Sequence, residues 1–428
     1  MPSAAFMKAL ANSQKKVAKA IRDPKTAGTI KYVKTSSPRL NGTYGSGKGI
    51  AIGRIHRLMG PESGGKTAIC TFVQKEFQQK LDVQHPELGK KPISVWIDFE
   101  GFDNAHATEM GLDTTSVFDG FDDKGNPIWN KDGRFLLVQP DSIEDAGVAI
   151  EELVRSGEVG SIVFDSESLA TTRTIQENEM GKATFGGKAK MLGEFLTKFN
   201  ILCRNYDTTM FIISQERANM AMMSHAIVTT GGYALRYAAS TLNRVKKVCD
   251  LKDGTGKMIG IQMNVRNYKN KTGIPFREND MWLYFDRGFD AEGEYIDLVK
   301  ELQTDPRITA LCKIGGAYWK SDKWGWSYKS KDSFISDFVH NEACKDMWEE
   351  MKNVIDEVLS GAIESDKETG DPEQMAEQNE TYMDSAEARA EINSYKEVEQ
   401  ATQDSIVKKE DGLVTESETP EVTLSEVD

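Results

Sequence analysis

The stretch Gly60-Pro61-Glu62-Ser63-Gly64-Gly65-Lys66-Thr67 follows an apolar run, Ile55–Met59, and opens a segment with helical spacing. Glycines let backbone N–H groups curl around an anion, and the start of a helix adds its dipole. A lysine followed by a hydroxyl at the end of such a loop suits the β- and γ-phosphates of a nucleoside triphosphate together with Mg2+. Residues Gly60 to Thr67 are therefore the expected phosphate cradle, with Lys66 bringing charge to the phosphates and Thr67 acting as a metal ligand. Gly45-Ser46-Gly47-Lys48-Gly49 also combines glycines with a lysine, but it has no hydroxyl after the lysine and no strand before it. It reads as a flexible loop. Two carboxylates complete a hydrolytic set. Asp165 ends the apolar run Ser161–Phe164, where a second Mg2+ ligand is needed. Glu100 follows Val95–Phe99 and can orient or deprotonate the attacking water, an effect worth about 10²–10⁴ in rate. The other reading of Glu100 is an exposed acid at a strand end.

Bringing these groups to one edge takes a sheet whose strands run the same way. From Gly53 to about Phe285, apolar runs (Ile55–Met59, Ile93–Ile97, Phe135–Val138, Ser161–Phe164, Thr209–Ile213, Ile259–Val265) alternate with helical stretches (Thr67–Leu81, Ile143–Ser156, Lys188–Arg204). That alternation predicts an α/β fold with a central, mostly parallel sheet and helices on both faces. Phe118–Arg134 is polar and turn-rich and reads as a surface insertion. Ser3–Arg22 carries apolar residues at helical spacing with Lys8, Lys15, Lys16 and Lys19 elsewhere. Thr29–Lys34 alternates like a strand, and Ser36, Ser37, Pro38 and a glycine-rich loop follow. A helix and strand ahead of a domain bury little alone. They read either as a frayed leader or as an arm that packs on a neighbouring subunit. The expected division is an arm over 1–35, a core over 36–287, a small α+β domain over 288–363 with a helix over Asn341–Leu359, and a tail over 364–428.

The 428 residues carry a net charge of −14, which sits badly with nucleic-acid binding until it is divided along the chain. Residues 364–428 hold 20 acidic and 5 basic side chains, so the tail accounts for −15 and the remainder is left at +1. A near-neutral body can bind nucleic acid through local positive charge. The tail is acidic, poor in aromatics and without periodicity, a composition that cannot offset ordering and reads as disordered. It serves either as a solubilising extension or as a competitor of DNA phosphates for basic surface. No run approaches the length of a membrane helix and no signal-peptide core opens the chain, so the expected location is the cytoplasm, with no membrane partner. The 5 cysteines are far apart and read as core filler.

In order along the chain, several segments resemble the motifs of the bacterial RecA recombinases: Gly60–Thr67, Ile97-Asp98-Phe99-Glu100, Ile162–Ser166, Phe211–Gln215, Thr229–Tyr237, and Asn267-Tyr268-Lys269-Asn270-Lys271 with Pro275-Phe276. Divergence and the long tail point to a bacteriophage-encoded member. The resemblance implies a RecA-like P-loop NTPase core that uses ATP and Mg2+. It also implies a DNA-dependent ATPase that forms a helical filament on single-stranded DNA and exchanges strands with homologous duplex DNA in recombination and repair. Single-strand-binding and loader proteins are the further partners of such an activity. Carried over by residue, Glu100 becomes the catalytic acid and Gln215 the γ-phosphate sensor. Lys269 and Lys271 become the lysines that reach a neighbour's ATP, and His106 stands where the family usually sets a tyrosine on adenine. The first DNA loop becomes Glu177–Gly187, with contacts from Met180, Phe185, Lys188 and Lys190. The second becomes Glu216–Val228, with contacts from Arg217, Asn219, Met220, Met222 and then Gly231 and Gly232. Without the family, Met220, Met222 and Met223 would read as core at helical spacing. Two other functions use the same core: a hexameric DNA helicase, which needs its own N-terminal domain, and a non-catalytic filament in which ATP is only a switch.

Overall fold

In the computed structural model, five of the apolar runs become strands: Ile55–Gly60 (β1), Ile93–Asp98 (β2), Phe135–Val138 (β3), Val159–Asp165 (β4) and Thr209–Ala218 (β5). The structure describes residues 29–89, 92–178, 187–218, 227–229, 232–316 and 318–361. The predicted helix over Ser3–Arg22 and the acidic tail lie outside them. Ile227–Thr229 (β6) pairs antiparallel with Glu216–Ala218, the end of β5. Four more strands follow: Thr241–Lys252 (β7), Met258–Asn270 (β8), Glu278–Tyr284 (β9) and Gly288–Phe289 (β10). The large sheet has the order β10-β9-β8-β7-β1-β5-β4-β2-β3. From β7 to β3 every neighbouring pair is parallel, and from β7 to β10 every pair is antiparallel.

The antiparallel flank corrects one expectation. Ile259–Val265 was expected among strands separated by helices, but it is the middle of β8 and follows β7 through a tight turn. The Asp253 carboxylate makes that turn by accepting the N–H groups of Thr255 (2.9 Å) and Lys257 (3.0 Å). An aspartate that bonds its own backbone in this way closes a hairpin without a crossover helix.

Period-two alternation sends neighbouring side chains to opposite faces of the sheet. Trp96, Val163, Phe211 and Ile213 meet helix α2 (Lys66–Gln84) through Phe72, Val73 and Phe77. On the other face Val95, Ile97, Ile162, Phe164 and Ile212 meet α3 (Ile143–Arg155) and α4 (Gly187–Tyr206) through Ile150, Val154, Phe195 and Phe199. Helices thus cover both faces, as the alternation predicts. Where the sequence read a glycine-rich loop after Pro38, the chain forms a helix, Pro38–Gly45 (α1), all of it buried. Ser37 caps it by accepting the N–H of Leu40 at 3.1 Å. The insertion at Phe118–Arg134 is a small hairpin, Phe118–Phe121 with Pro127–Trp129, and Phe121 and Trp129 are exposed. Cys70, Cys203 and Cys312 are buried as expected of core filler, but Cys249 on β7 is exposed.

A third apolar cluster gathers Tyr295 to Val358 around Trp319, which stacks on Phe334 at 4.3 Å. It includes Ala291–Glu301 (α5), a three-stranded sheet from Lys313 to Tyr328, and a helix Lys345–Gly361. Glu294 of α5, fully buried, joins this cluster to the Pro38 helix by accepting the Ser37 hydroxyl at 2.6 Å and the Arg39 N–H at 3.4 Å. Burial pushes its carboxyl up to about 7, against 4.5 for an ordinary glutamate. The unfolded chain therefore ionises Glu294 first. The stability that this residue contributes is whole below pH 4.5 and is lost as the pH rises toward 7. Glu294→Gln, which cannot ionise, should match the wild type near pH 4.5 and exceed it above pH 7 by about 1–3 kcal/mol. Chemical denaturation at the two pH values measures the difference, and an equal gap at both would refute the assignment.

Candidate active site

The phosphate-loop sequence lies at the carboxyl end of β1 and runs directly into α2. Gly60 has φ 152°, and a Cβ there would come within 2.0 Å of the Val245 carbonyl on β7. Only glycine fits so close an approach of two backbones. Lys66 is buried, and its ammonium donates to the carbonyls of Gly60 (3.0 Å) and Pro61 (2.6 Å). Thr67 donates its hydroxyl to Asp165 Oδ2 at 3.3 Å.

Parallel registry brings the other groups to the same edge. Gly60 pairs with Gln215 across β1 and β5, and Asp98 pairs with Asp165 across β2 and β4. The Glu100 carboxylate, just beyond β2, accepts from Gln215 Nε2 at 2.9 Å and from the Ser166 hydroxyl. Glu100 is exposed, as the alternative reading had it, yet it is tied to two neighbouring strands. Asp98 shapes the turn that carries it, accepting the N–H groups of Glu100 (3.1 Å), Gly101 (2.7 Å) and Phe102 (3.0 Å) and the Gln139 amide (2.9 Å). Burial pulls the Asp98 carboxyl up, but these donors together hold it below the usual range. Asp165 moves the other way. Burial, the Glu100 charge and the Asp98 charge push it up to about 7, against the pull of Thr67 and Lys66. Its Oδ1 is buried without a hydrogen-bond partner among the described residues. A buried carboxylate with one spare oxygen, a hydroxyl on the other and two acids nearby fits a hard divalent cation, which oxygen ligands hold.

His106 is exposed on a short helix, Asn104–Glu109, where Asp103 accepts its N–H at 3.0 Å. Lys269 and Lys271 are not brought to this cluster. Lys269 is in register with Leu242 of β7, which is in register with Arg57, so it is two strands away from β1 and three residues short of Gly60. Lys271 is farther back, its N–H on the Ser240 carbonyl. Both ammonium groups donate to the last carbonyls of the helix Gly232–Ala238: Lys269 to Arg236, and Lys271 to Tyr237 at 3.1 Å. Burial and the charge of Lys271 lower Lys269 to about 8.

Of the expected DNA contacts, Lys188 and Lys190 are on the first turn of α4, and Lys188 donates to the Ser168 carbonyl at 2.8 Å. Arg217 is in β5 opposite Val228, and Gly232 opens its helix. Met180, Phe185, Asn219, Met220, Met222 and Gly231 lie outside the described residues. Sequence reasoning missed Ser166 and Gln139, whose partners are distant in the chain and leave no local signal.

The family model for the RecA N-terminal domain matches residues 5–290. Protein RecA of Wolinella succinogenes is 30% identical over 358 residues, which is 82% of this chain and 89% of that protein. Protein RecA of Nitratiruptor sp. is 28% identical over 330 residues, with 76% of this chain and 85% of the relative covered. Protein RecA of Campylobacter fetus is 29% identical over 330 residues, with 76% and 84% covered.

Proposed function

This chain belongs to the RecA family, and on that premise we propose that the edge formed by β1, β5, β4 and β2 binds and hydrolyses ATP under the control of single-stranded DNA. The protein is a RecA-type recombinase and a DNA-dependent ATPase. RecA-family proteins work with ATP and Mg2+, and self-assembly on single-stranded DNA is the family's mode of action. In this chain Gly60 to Thr67 cradle the phosphates, with Lys66 neutralising charge as the bond to the leaving group lengthens. Thr67 and Asp165 would hold Mg2+, which would supply positive charge against the phosphate oxygens. Glu100 aligns the attacking water and draws off its proton. His106 is the side chain available to the adenine.

The observation that carries the proposal is the hydrogen bond between Gln215 and Glu100 at 2.9 Å. Gln215 ends the part of β5 that runs on toward the expected second DNA loop, so a change at that loop has a direct path to the catalytic acid. Lys188, Lys190 and Arg217 supply phosphate contacts, and Met180, Phe185, Asn219, Met220 and Met222 with Gly231 and Gly232 complete the DNA-facing set. Contacts of this kind give affinity without base reading, which suits a protein that leaves recognition to pairing between strands. Residues 1–35 act as the polymerisation arm, and loader and single-strand-binding proteins assist on DNA in the cytoplasm.

ATP turnover measured with and without single-stranded DNA, with electron microscopy of both samples, tests the proposal. Strong stimulation together with helical filaments is the expected result. Closed six-fold rings would favour a helicase, and turnover indifferent to DNA would overturn the reading.

A further inference from the structure

Beneath the phosphate edge lies a charged pair that the chemistry above does not use. Arg57 is in the middle of β1, three residues before Gly60, and is 2% exposed; Glu167, just past the end of β4, is 0% exposed. The Arg57 guanidinium donates to the Ser214 hydroxyl on β5 at 2.8 Å and to Glu167 at 3.5 Å. Arg57 is in register with Ile212, so Ser214 is its diagonal neighbour on the same sheet face, the one covered by α3 and α4.

The turn that contains Glu167 touches every part of the proposed coupling path. Ser166 donates its hydroxyl to Glu100. The Glu167 N–H donates to the Ile213 carbonyl at 3.0 Å. Ser168 accepts the Gln215 N–H on its hydroxyl at 3.0 Å, and its carbonyl accepts the Lys188 ammonium at 2.8 Å. Three consecutive residues thus contact the catalytic acid, the sensor strand and the helix that leaves the expected first DNA loop. A buried ion pair is a poor way to gain stability, since apolar residues of similar size often do as well. Its strength is in fixing one arrangement of the elements it joins.

We infer that Arg57 and Glu167 are positioning residues, a buried clamp that locks the Ser166–Ser168 turn to β5 so that DNA engagement is transmitted to Glu100. The inference rests on the recombinase reading above, because it assigns the clamp to the DNA-dependent step. The clamp acts on the alignment of Glu100 and Gln215, and leaves the phosphate loop itself unaltered.

The test is the double variant Arg57→Met with Glu167→Leu, which removes both charges and conserves volume. It should melt no lower than the wild type. Its DNA-stimulated kcat should fall about 10- to 100-fold, as for a small misplacement of reacting groups, while the KM for ATP changes by less than about twofold. The single variant Glu167→Gln, nearly isosteric, is read by the same split between kcat and KM and keeps the test decisive if the double variant does not fold. A folded variant stimulated by DNA as strongly as the wild type would overturn the clamp alone. A wild-type chain that DNA does not stimulate would overturn the recombinase reading, and the clamp with it.

Discussion

Glu100→Gln removes DNA-stimulated ATP turnover, by about 10²–10⁴-fold, while nucleotide binding and assembly on DNA persist. The substitution exchanges one carboxylate oxygen for an amide and leaves size and shape alone. The remaining oxygen still accepts from the Ser166 hydroxyl and from Gln215 Nε2, which reach a single Glu100 oxygen in the wild type. What disappears is the proposed base. The proposed phosphate cradle and the proposed metal ligands Thr67 and Asp165 are untouched, so binding should survive. It should also tighten around a nucleotide that is no longer consumed, and filaments should last longer. Single-turnover hydrolysis beside fluorescent-nucleotide binding separates the two effects. Loss of both together would make Glu100 a structural acid, and near-normal turnover would move catalysis to another group. Lys66→Ala makes the contrast, because it should impair binding and turnover alike.

Much of this site was legible because its parts are local. The phosphate loop is a contiguous stretch, and each acid follows an apolar run long enough to be read as a strand. Parallel strands then bring their carboxyl ends together, which made the shared edge of Glu100 and Asp165 predictable. The remainder depended on partners distant in sequence. Gln139 reaches Asp98 from the end of β3, and Ser166 reaches Glu100 across β4 and β2, contacts that no spacing rule encodes. β7 escaped notice for another reason. Residues 246–250 are exposed one after another, including Lys246, Lys247 and Asp250, so the alternation that marks a half-buried strand is missing. The Pro38–Gly45 helix holds Asn41 and Gly42, poor helix formers. Its Ser37-Pro38 start was a fair signal, but complete burial by the surrounding core is what stabilises it. Propensity gave way there to tertiary packing.

Sheet topology also bears on Lys269 and Lys271, and yields a prediction as large as the first. Neither can serve the phosphate loop of its own chain by a simple side-chain rotation: β8 is antiparallel to β7, so it carries both lysines back toward the start of β1. Their ammonium groups sit together on the carbonyl end of the Gly232–Ala238 helix, where Lys269 is already depressed to about 8 by burial and by its neighbour's charge. Two crowded cations on the chain's own carbonyls suit an anion supplied by another molecule, and we propose a second copy's ATP as that anion. Lys269→Ala with Lys271→Ala should then cut filament turnover by about 10³-fold, the scale of a charge donated across an interface. Each chain should still bind ATP, since its own cradle is intact. Mixing supplies the decisive observation. A Lys66→Ala chain has a defective cradle but good lysines, and the double-lysine variant has the reverse. Either alone is inactive, yet in random head-to-tail filaments about a quarter of sites combine an intact cradle with intact lysines. Turnover should therefore return to about a quarter of the wild-type value on mixing equal amounts. A mixture as inactive as its components would mean that the lysines act within their own chain or only hold the helix end, and the assembly-dependent mechanism would have to be abandoned.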